Sequence, residues 1–356
     1  MKIEKIKLKL HVISPTHIGC DEIYEPSGFK IDEKRHKLIE FDKIKFYESL
    51  SEIDKRTLLN ICLKSDISSF IQLINFIQNK NVSGKEVDIA HSVLENFNRV
   101  TNPLNLPPQQ FKQELNKLEI KKTASNPYNH QAYIPGSSIK GALRTGYLNF
   151  LSEEKNIPID HKDAKQLEKE LLNFTSFDSD PFGLIKISDF IPEGKINTKI
   201  IYALNKKKDN TTRARGIPVL LEIIQEGSSF NGTIDFHDIK LKKNSEITNI
   251  NDLLKESHNF YFSLLQEENS ILAKIKASTR ISTSIKKDYA DKLGTSAFCI
   301  RLGRHSGAEA VTIKKYRKIN RTSPCSTTIW LASDERNPNL NYSLIPFGWC
   351  ILEKVW

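Results

Sequence analysis

Ile6, Leu8, Leu10 and Val12 alternate with Lys5, Lys7, Lys9 and His11, a period of two that predicts a half-buried strand with one basic face. That face is either a solvated edge that lysines guard against aggregation or a surface that meets RNA. Ser14-Pro15-Thr16-His17-Ile18-Gly19 ends the strand, because proline cannot donate to a ladder and glycine accepts positive φ. A sharp loop with His17 near its tip is expected. Ser27-Gly28, Ile31 and Leu38-Ile39 suggest a hairpin, after which residues 42–125 turn helical in period. Ile89, Val93, Leu94 and Phe97 share one helical face, as do Phe111, Leu115 and Leu118. This stretch is expected to be a helical insertion of several short helices, broken at 78–86 and 100–108 by Gly, Asn and Pro.

A helix beginning at Gly136 would carry Ile139, Leu143, Tyr147 and Leu148 inward, and a second surrounds 167–174. Strand patterns fill 184–236, the last two flanking Glu226-Gly227-Ser228-Ser229 as a plausible hairpin. Residues 251–275 return to helix with Leu253, Leu254, Phe260, Leu264 and Leu265 buried, and Thr327-Thr328-Ile329-Trp330-Leu331 reads as a later strand. The order predicts an α+β chain: two ferredoxin-like (RRM-like) units with antiparallel sheets, one over 1–245 with the insertion at about 42–125, the other, smaller, over 246–356. No exact internal repeat is visible.

Composition narrows the function classes. The 356 residues carry 53 Lys plus Arg against 43 Asp plus Glu, a net charge of +10, which favours an anionic partner, nucleic acid ahead of a membrane surface. No apolar run nears the ~18 residues of a membrane span and the first residues lack a signal-peptide core, so a soluble, cytoplasmic protein without membrane partners is expected. The five cysteines are widely spaced, with no Cys-x-x-Cys pair, and are expected to be reduced, mostly buried thiols rather than a disulfide framework or zinc site. Phosphate-loop, dinucleotide, zincin and Gly-x-Ser-x-Gly signatures are missing, so neither metal nor cofactor is called for.

The most informative stretch is Ile134-Pro135-Gly136-Ser137-Ser138-Ile139-Lys140-Gly141-Ala142-Leu143-Arg144. Gly136, Ser137 and Ser138 at a helix start would expose backbone donors, and Lys140 and Arg144, four apart, share a face: a phosphate-binding arrangement, or a capped helix packed closely by its glycines. Residues 206–216 set five cations, Arg213 and Arg215 among them, against one acid in a loop suited to tracking phosphates or simply solvated. Residues 301–321 carry Arg301, Arg304, Lys314, Lys315, Arg317, Lys318 and Arg321, with His305 and Tyr316 interleaved. Arginine forks there could grip phosphates and a tyrosine could stack on a base; a solvated strand face is the alternative. His17 and His305 are loop-shaping or phosphate-contacting histidines, or general acid and base groups.

The 134–144 stretch resembles the glycine-rich motif of the RAMP superfamily, the RNA-binding subunits of CRISPR effector complexes. Ser14-Pro15-Thr16-His17-Ile18-Gly19 resembles that family's opening loop and Phe182-Gly183 to Ser188-Asp189 its central strand. Leu302-Gly303-Arg304-His305-Ser306-Gly307 with Pro346-Phe347-Gly348-Trp349 resembles the C-terminal signature of one subgroup, the fifth Csm subunit of type III-A complexes. The resemblance covers most of the chain and leaves the helical insertion unsupported. It implies a noncatalytic subunit that caps the complex at the 3′ part of the CRISPR RNA and helps define guide length. The partners implied are CRISPR RNA, target RNA, a neighbouring backbone RAMP subunit, the small helical subunit and a recruited nuclease. Gly136, Ser137, Ser138, Lys140, Arg144, His17, Gly19, Arg213, Arg215, Arg301, Arg304 and His305 are the expected RNA contacts. Target-cleaving relatives hold an acidic residue after the first glycine turn. Glu25-Pro26-Ser27-Gly28-Phe29-Lys30 occupies roughly that region without an aspartate, with Asp21 and Asp32 nearby. An endoribonuclease using His17 or His305, a metal-dependent nuclease using Asp21 or Asp32, and a scaffold that meets only proteins are the rival readings.

Overall fold

The computed structural model describes residues 2–64, 66–102, 108–155, 157–158, 163–209, 216–238, 247, 249–319 and 324–355. Among these, the strands form a six-stranded and a nine-stranded sheet, an α+β fold as expected. The first sheet runs Ala297–Arg301, Trp349–Val355, Lys2–Val12, Ser229–Asp238, Ile185–Ile187, with Ile191–Pro192 alongside. Its antiparallel centre, with helices Gly136–Glu154 and Ile250–Lys274 as the two crossovers, has the βαββαβ order of a ferredoxin-like unit. Leu8, Leu10 and Val12 enter its core with Ile139, Leu143, Tyr147, Leu253, Leu254 and Leu264, the residues that period had marked. The two helices touch where Gly146 leaves no room for a side chain against Ser257, and Ser257 Oγ and Tyr261 OH donate to the carbonyls of Leu143 (3.0 Å) and Ala142 (3.1 Å).

The second sheet runs Gly19–Tyr24, Ile120–Thr123, Val219–Ile224, Thr198–Lys207, Lys85–Ile89, Lys37–Glu40, Phe29–Asp32, and Thr328–Ser333 continues it along Thr198–Lys207. It is mixed: Ile120–Thr123 pairs in parallel with Val219–Ile224, and Lys85–Ile89 with Thr198–Lys207, while each is antiparallel to its other neighbour. Both strands come from the 42–125 region, so the insertion supplies strands as well as short helices, and Ile89 ends a strand rather than sharing a helix with Val93. The chain does not divide near residue 246 into separately bonded sheets, because each sheet takes strands from both sides of that point. The expected hairpin at 226–229 is instead a crossing: Val219–Ile224 lies in the second sheet and Ser229–Asp238 in the first. Two cysteines, Cys299 and Cys350, are buried, where burial pushes both thiols up, Cys350 to about 12; Cys62 and Cys325 are exposed. No described helix is long and apolar enough to cross a membrane.

Candidate nucleic-acid interface

Three short segments meet where the two sheets join. Leaving the first strand, Ser14 Oγ accepts from Trp349 N (2.8 Å), and Thr16 exchanges backbone bonds with Ile224 (3.2 and 2.8 Å). Pro15 and His17 offer their carbonyls to Gly348 N and Arg304 N, both at 2.9 Å. The approach is possible because Gly303 and Gly348 hold φ of +80° and +83°; a Cβ would lie 2.4 Å from the His17 carbonyl oxygen at Gly303 and 2.2 Å from that of Leu302 at Gly348. The loop motifs at 14–19, 302–307 and 347–348 therefore form one structure although the chain separates them widely.

This junction holds His17, Gly19, Arg304 and His305 together. His17 is 1% exposed. Its Nδ1 lies 2.8 Å from the Glu222 carbonyl, which can only accept, so Nδ1 carries the proton and Nε2, buried without a partner, presents a lone pair. Burial, then the Arg304 and Lys121 cations, push its pKa below the usual histidine value, the Glu222 carbonyl opposing. The His305 ring lies 6.3 Å from that of His17, 5.6 Å from Phe347 and 4.8 Å from Trp330. Burial first, then His17, Lys121 and Arg304, bring His305 down to about 4. Both imidazoles are thus neutral at pH 7 beside permanent cations. Arg304 lies across Gly19, where any Cβ would collide with its guanidinium, and pairs with exposed Asp21. The Lys121 backbone pairs within the second sheet, and its side chain makes no hydrogen bond or ion pair among the described residues.

Of the other expected contacts, Gly136, Lys140, Arg144 and Arg301 are engaged within the protein. Gly136 N donates to Asp189 Oδ1 (2.8 Å), so the helix start already holds an anion, and a Cβ on Gly136 would lie 2.4 Å from the Ile187 carbonyl oxygen. Ser137 is exposed and Ser138 N donates to the Pro135 carbonyl. Lys140 Nζ donates to the Ile185 carbonyl (2.9 Å), and burial, with Lys186 next, lowers its pKa. Arg144 spans Asp180 and Glu168 at 2.9 Å each, with its guanidinium over Phe182. These contacts make the 136–144 stretch a packed junction of helix and strand rather than an open phosphate cradle. Arg301 is a buried core residue: it pairs with Glu268 at 2.7 Å, donates to the Phe347 carbonyl and stacks on Trp349. Arg213 and Arg215 lie outside the described residues. The basic face of the first strand is answered across the sheet by Asp235, Glu193 and Glu353, which pair with Lys5, Lys9 and His11. Tyr316 donates its hydroxyl to the Ile157 carbonyl, Arg317 is bound within its own loop, and Asp32 is held by Arg35.

Two residues beside the junction were not among the expected contacts: Lys121, and Trp330, which was read only as part of a strand. Lys121 sat in a stretch whose period read as helical; the cue was the short Ile120-Lys121-Lys122-Thr123 run after helix-ending residues.

The RAMP superfamily model matches residues 9–274. The chain belongs to the RAMP superfamily. It is 30% identical over 273 residues to the CRISPR system Cms protein Csm5 of Methanocaldococcus jannaschii, a match covering 71% of this chain and 56% of that one; the chain spans little more than half the length of that curated relative. Two solved structures share the fold. A chain of a Csm–crRNA–target RNA ternary complex of a type III-A CRISPR–Cas system aligns with TM-score 0.68 over 98% of this chain and 100% of its own, at 16% identity. The crystal structure of T. onnurineus Csm5 aligns with TM-score 0.59 over 96% and 99%, also at 16% identity. The glycine-rich motif lies inside the matched span, and 302–307 and 346–349 lie beyond it.

Proposed function

We propose that this chain is a noncatalytic, cytoplasmic RNA-binding subunit of a type III-A CRISPR effector complex. It caps the complex at the 3′ part of the CRISPR RNA, beside a backbone RAMP subunit and the small helical subunit, within reach of target RNA and of a recruited nuclease. The observation that carries the reading is the junction itself: Lys121 and Arg304 stand beside two histidines that burial keeps neutral. Cations on a hydrogen-bonded frame suit a phosphate backbone. His17, Gly19, Arg304 and His305 are the expected residues this reading retains; Lys121 joins them.

A metal-independent endoribonuclease draws on one observation, the unpartnered Nε2 of buried His17, a lone pair able to take a proton if RNA binding uncovers it. End-labelled single-stranded RNA incubated with the full chain, with and without Mg²⁺, across a salt series, separates the two. Intact, bound RNA with a steep salt slope that Lys121→Ala and Arg304→Ala each reduce by about 0.7 supports the capping subunit. Cleavage abolished by His17→Ala supports the nuclease, and cleavage that needs Mg²⁺ and Asp21 supports a target-cutting role.

A further inference from the structure

The sheet face beside the junction holds a group of partly buried side chains, with Trp330 packed against the core at its edge. In Thr328–Ser333, Ile329 and Leu331 are sealed in the core while Trp330, on the opposite face, is only partly buried. Asn205 lies directly across from Trp330 and Lys207 across from Thr328, so the three side chains share that face. The Asn205 Oδ1 atom is buried without a hydrogen-bond partner, and Gly216 closes on this side chain: a Cβ there would lie 2.8 Å from that of Asn205. His305 packs against the indole with ring centroids 4.8 Å apart and planes at 56°. Cations stand at either end, Arg304 and Lys121 around His305 and Lys207 beyond Asn205.

An indole, a neutral imidazole and an unanswered amide bracketed by cations match one class of ligand, an aromatic ring carrying hydrogen-bonding edges and flanked by anions. We infer that Trp330 is a nucleobase-stacking platform. A base of single-stranded RNA lies on the indole with its edge at the Asn205 amide, and the flanking phosphates meet Arg304 and Lys121 on one side and Lys207 on the other. An amide offers both a donor and an acceptor, so the platform serves a strand of any sequence. This inference rests on the RNA-binding reading and adds a contact that salt does not weaken.

The test titrates the full chain, as wild type, Trp330→Leu, Trp330→Phe and Lys121→Ala, into fluorescein-labelled 20-nucleotide oligoadenylate and oligouridylate at several salt concentrations. Loss of one stacked base weakens binding roughly 5- to 150-fold. Trp330→Leu is expected to fall in that range, more for oligoadenylate, with the salt slope unchanged; Trp330→Phe keeps most of the affinity, and Lys121→Ala lowers the slope. In wild type, RNA carrying 4-thiouridine crosslinks to the 328–333 peptide under long-wave light, a readout that needs no variant to fold. Wild-type affinity in Trp330→Leu, a lowered slope in that variant, or a crosslink only elsewhere overturns the platform. The Lys121→Ala slope then still judges the broader reading, which fails together with the platform if wild type binds no RNA.

Discussion

Replacing Arg301 discriminates between a residue that binds RNA and one that holds the fold. Its side chain is 3% exposed and that of its partner Glu268 7%. The guanidinium makes a 2.7 Å ion pair, donates Nε to the Phe347 carbonyl at 2.9 Å and stacks 4.7 Å from the Trp349 ring. Glu268 in turn accepts from Trp349 Nε1 at 2.7 Å. Arg301→Ala removes one ion of a buried pair and leaves the other without its countercharge, which costs about 3–5 kcal/mol. Arg301→Met with Glu268→Leu removes both charges. The expected remaining loss is about 1–3 kcal/mol, from the orphaned indole N–H. Urea denaturation followed by circular dichroism and by tryptophan fluorescence, to which buried Trp349 contributes, measures both variants. The single variant should lose more stability than the double, while RNA bound by the folded fraction keeps the wild-type salt slope. A stable Arg301→Ala protein whose slope has fallen would refute this reasoning and return Arg301 to the RNA path.

Arg144→Ala, which leaves Asp180 and Glu168 without their shared cation, should lower the midpoint of urea unfolding without changing the salt slope of RNA binding. Gly348→Ala forces a side chain onto the Leu302 carbonyl at positive φ and should cost more than about 1 kcal/mol, read as a lowered Tm, and loosen RNA binding by moving the 302–307 loop. Burial raises the Glu309 pKa, but the hydrogen bonds from Lys208 and Ser326 outweigh it and hold the carboxyl at about 2, against an ordinary 4.5. Its stabilisation is therefore complete above pH 4.5 and lost as pH falls toward 2, and Glu309→Gln should flatten that limb of a stability–pH curve. His258 is pulled by burial to about 4 from 6.5. The unfolded chain takes up that proton first, so stability falls as pH drops from 6.5 to 4, and His258→Gln should remove its share of the fall and leave the share of His305, which burial lowers in the same way.

The ferredoxin-like core was legible because its period is local. Leu8, Leu10 and Val12, or Ile139 and Leu143, announce a buried face within a few residues. Sheet membership is not local. Glu226-Gly227-Ser228-Ser229 has hairpin chemistry, yet the strands it joins pair with Thr198–Lys207 and with Lys2–Val12, in different sheets. The four residues of 120–123 are too few to show a period at all. At the site, the loops at 14–19, 302–307 and 347–348 stood out through their glycines. The basic residues did not sort themselves, since Arg301, Arg304 and Arg317 look alike in sequence, and only three-dimensional neighbours separate the buried Arg301 and Arg317 from Arg304 on the surface.

The pairing of the first strand with Trp349–Val355 has a consequence for how the protein is made. His11 and Glu353 are 342 positions apart and hydrogen-bonded. At ribosomal speeds of about 5–20 residues per second, roughly 20–70 s separate their synthesis. Throughout that time one edge of the first strand has no partner, and the 14–18 loop lacks the Trp349 and Gly348 backbone that anchors it. Newborn chains are thus exposed to mispairing along that edge until Trp349–Val355 leaves the exit tunnel.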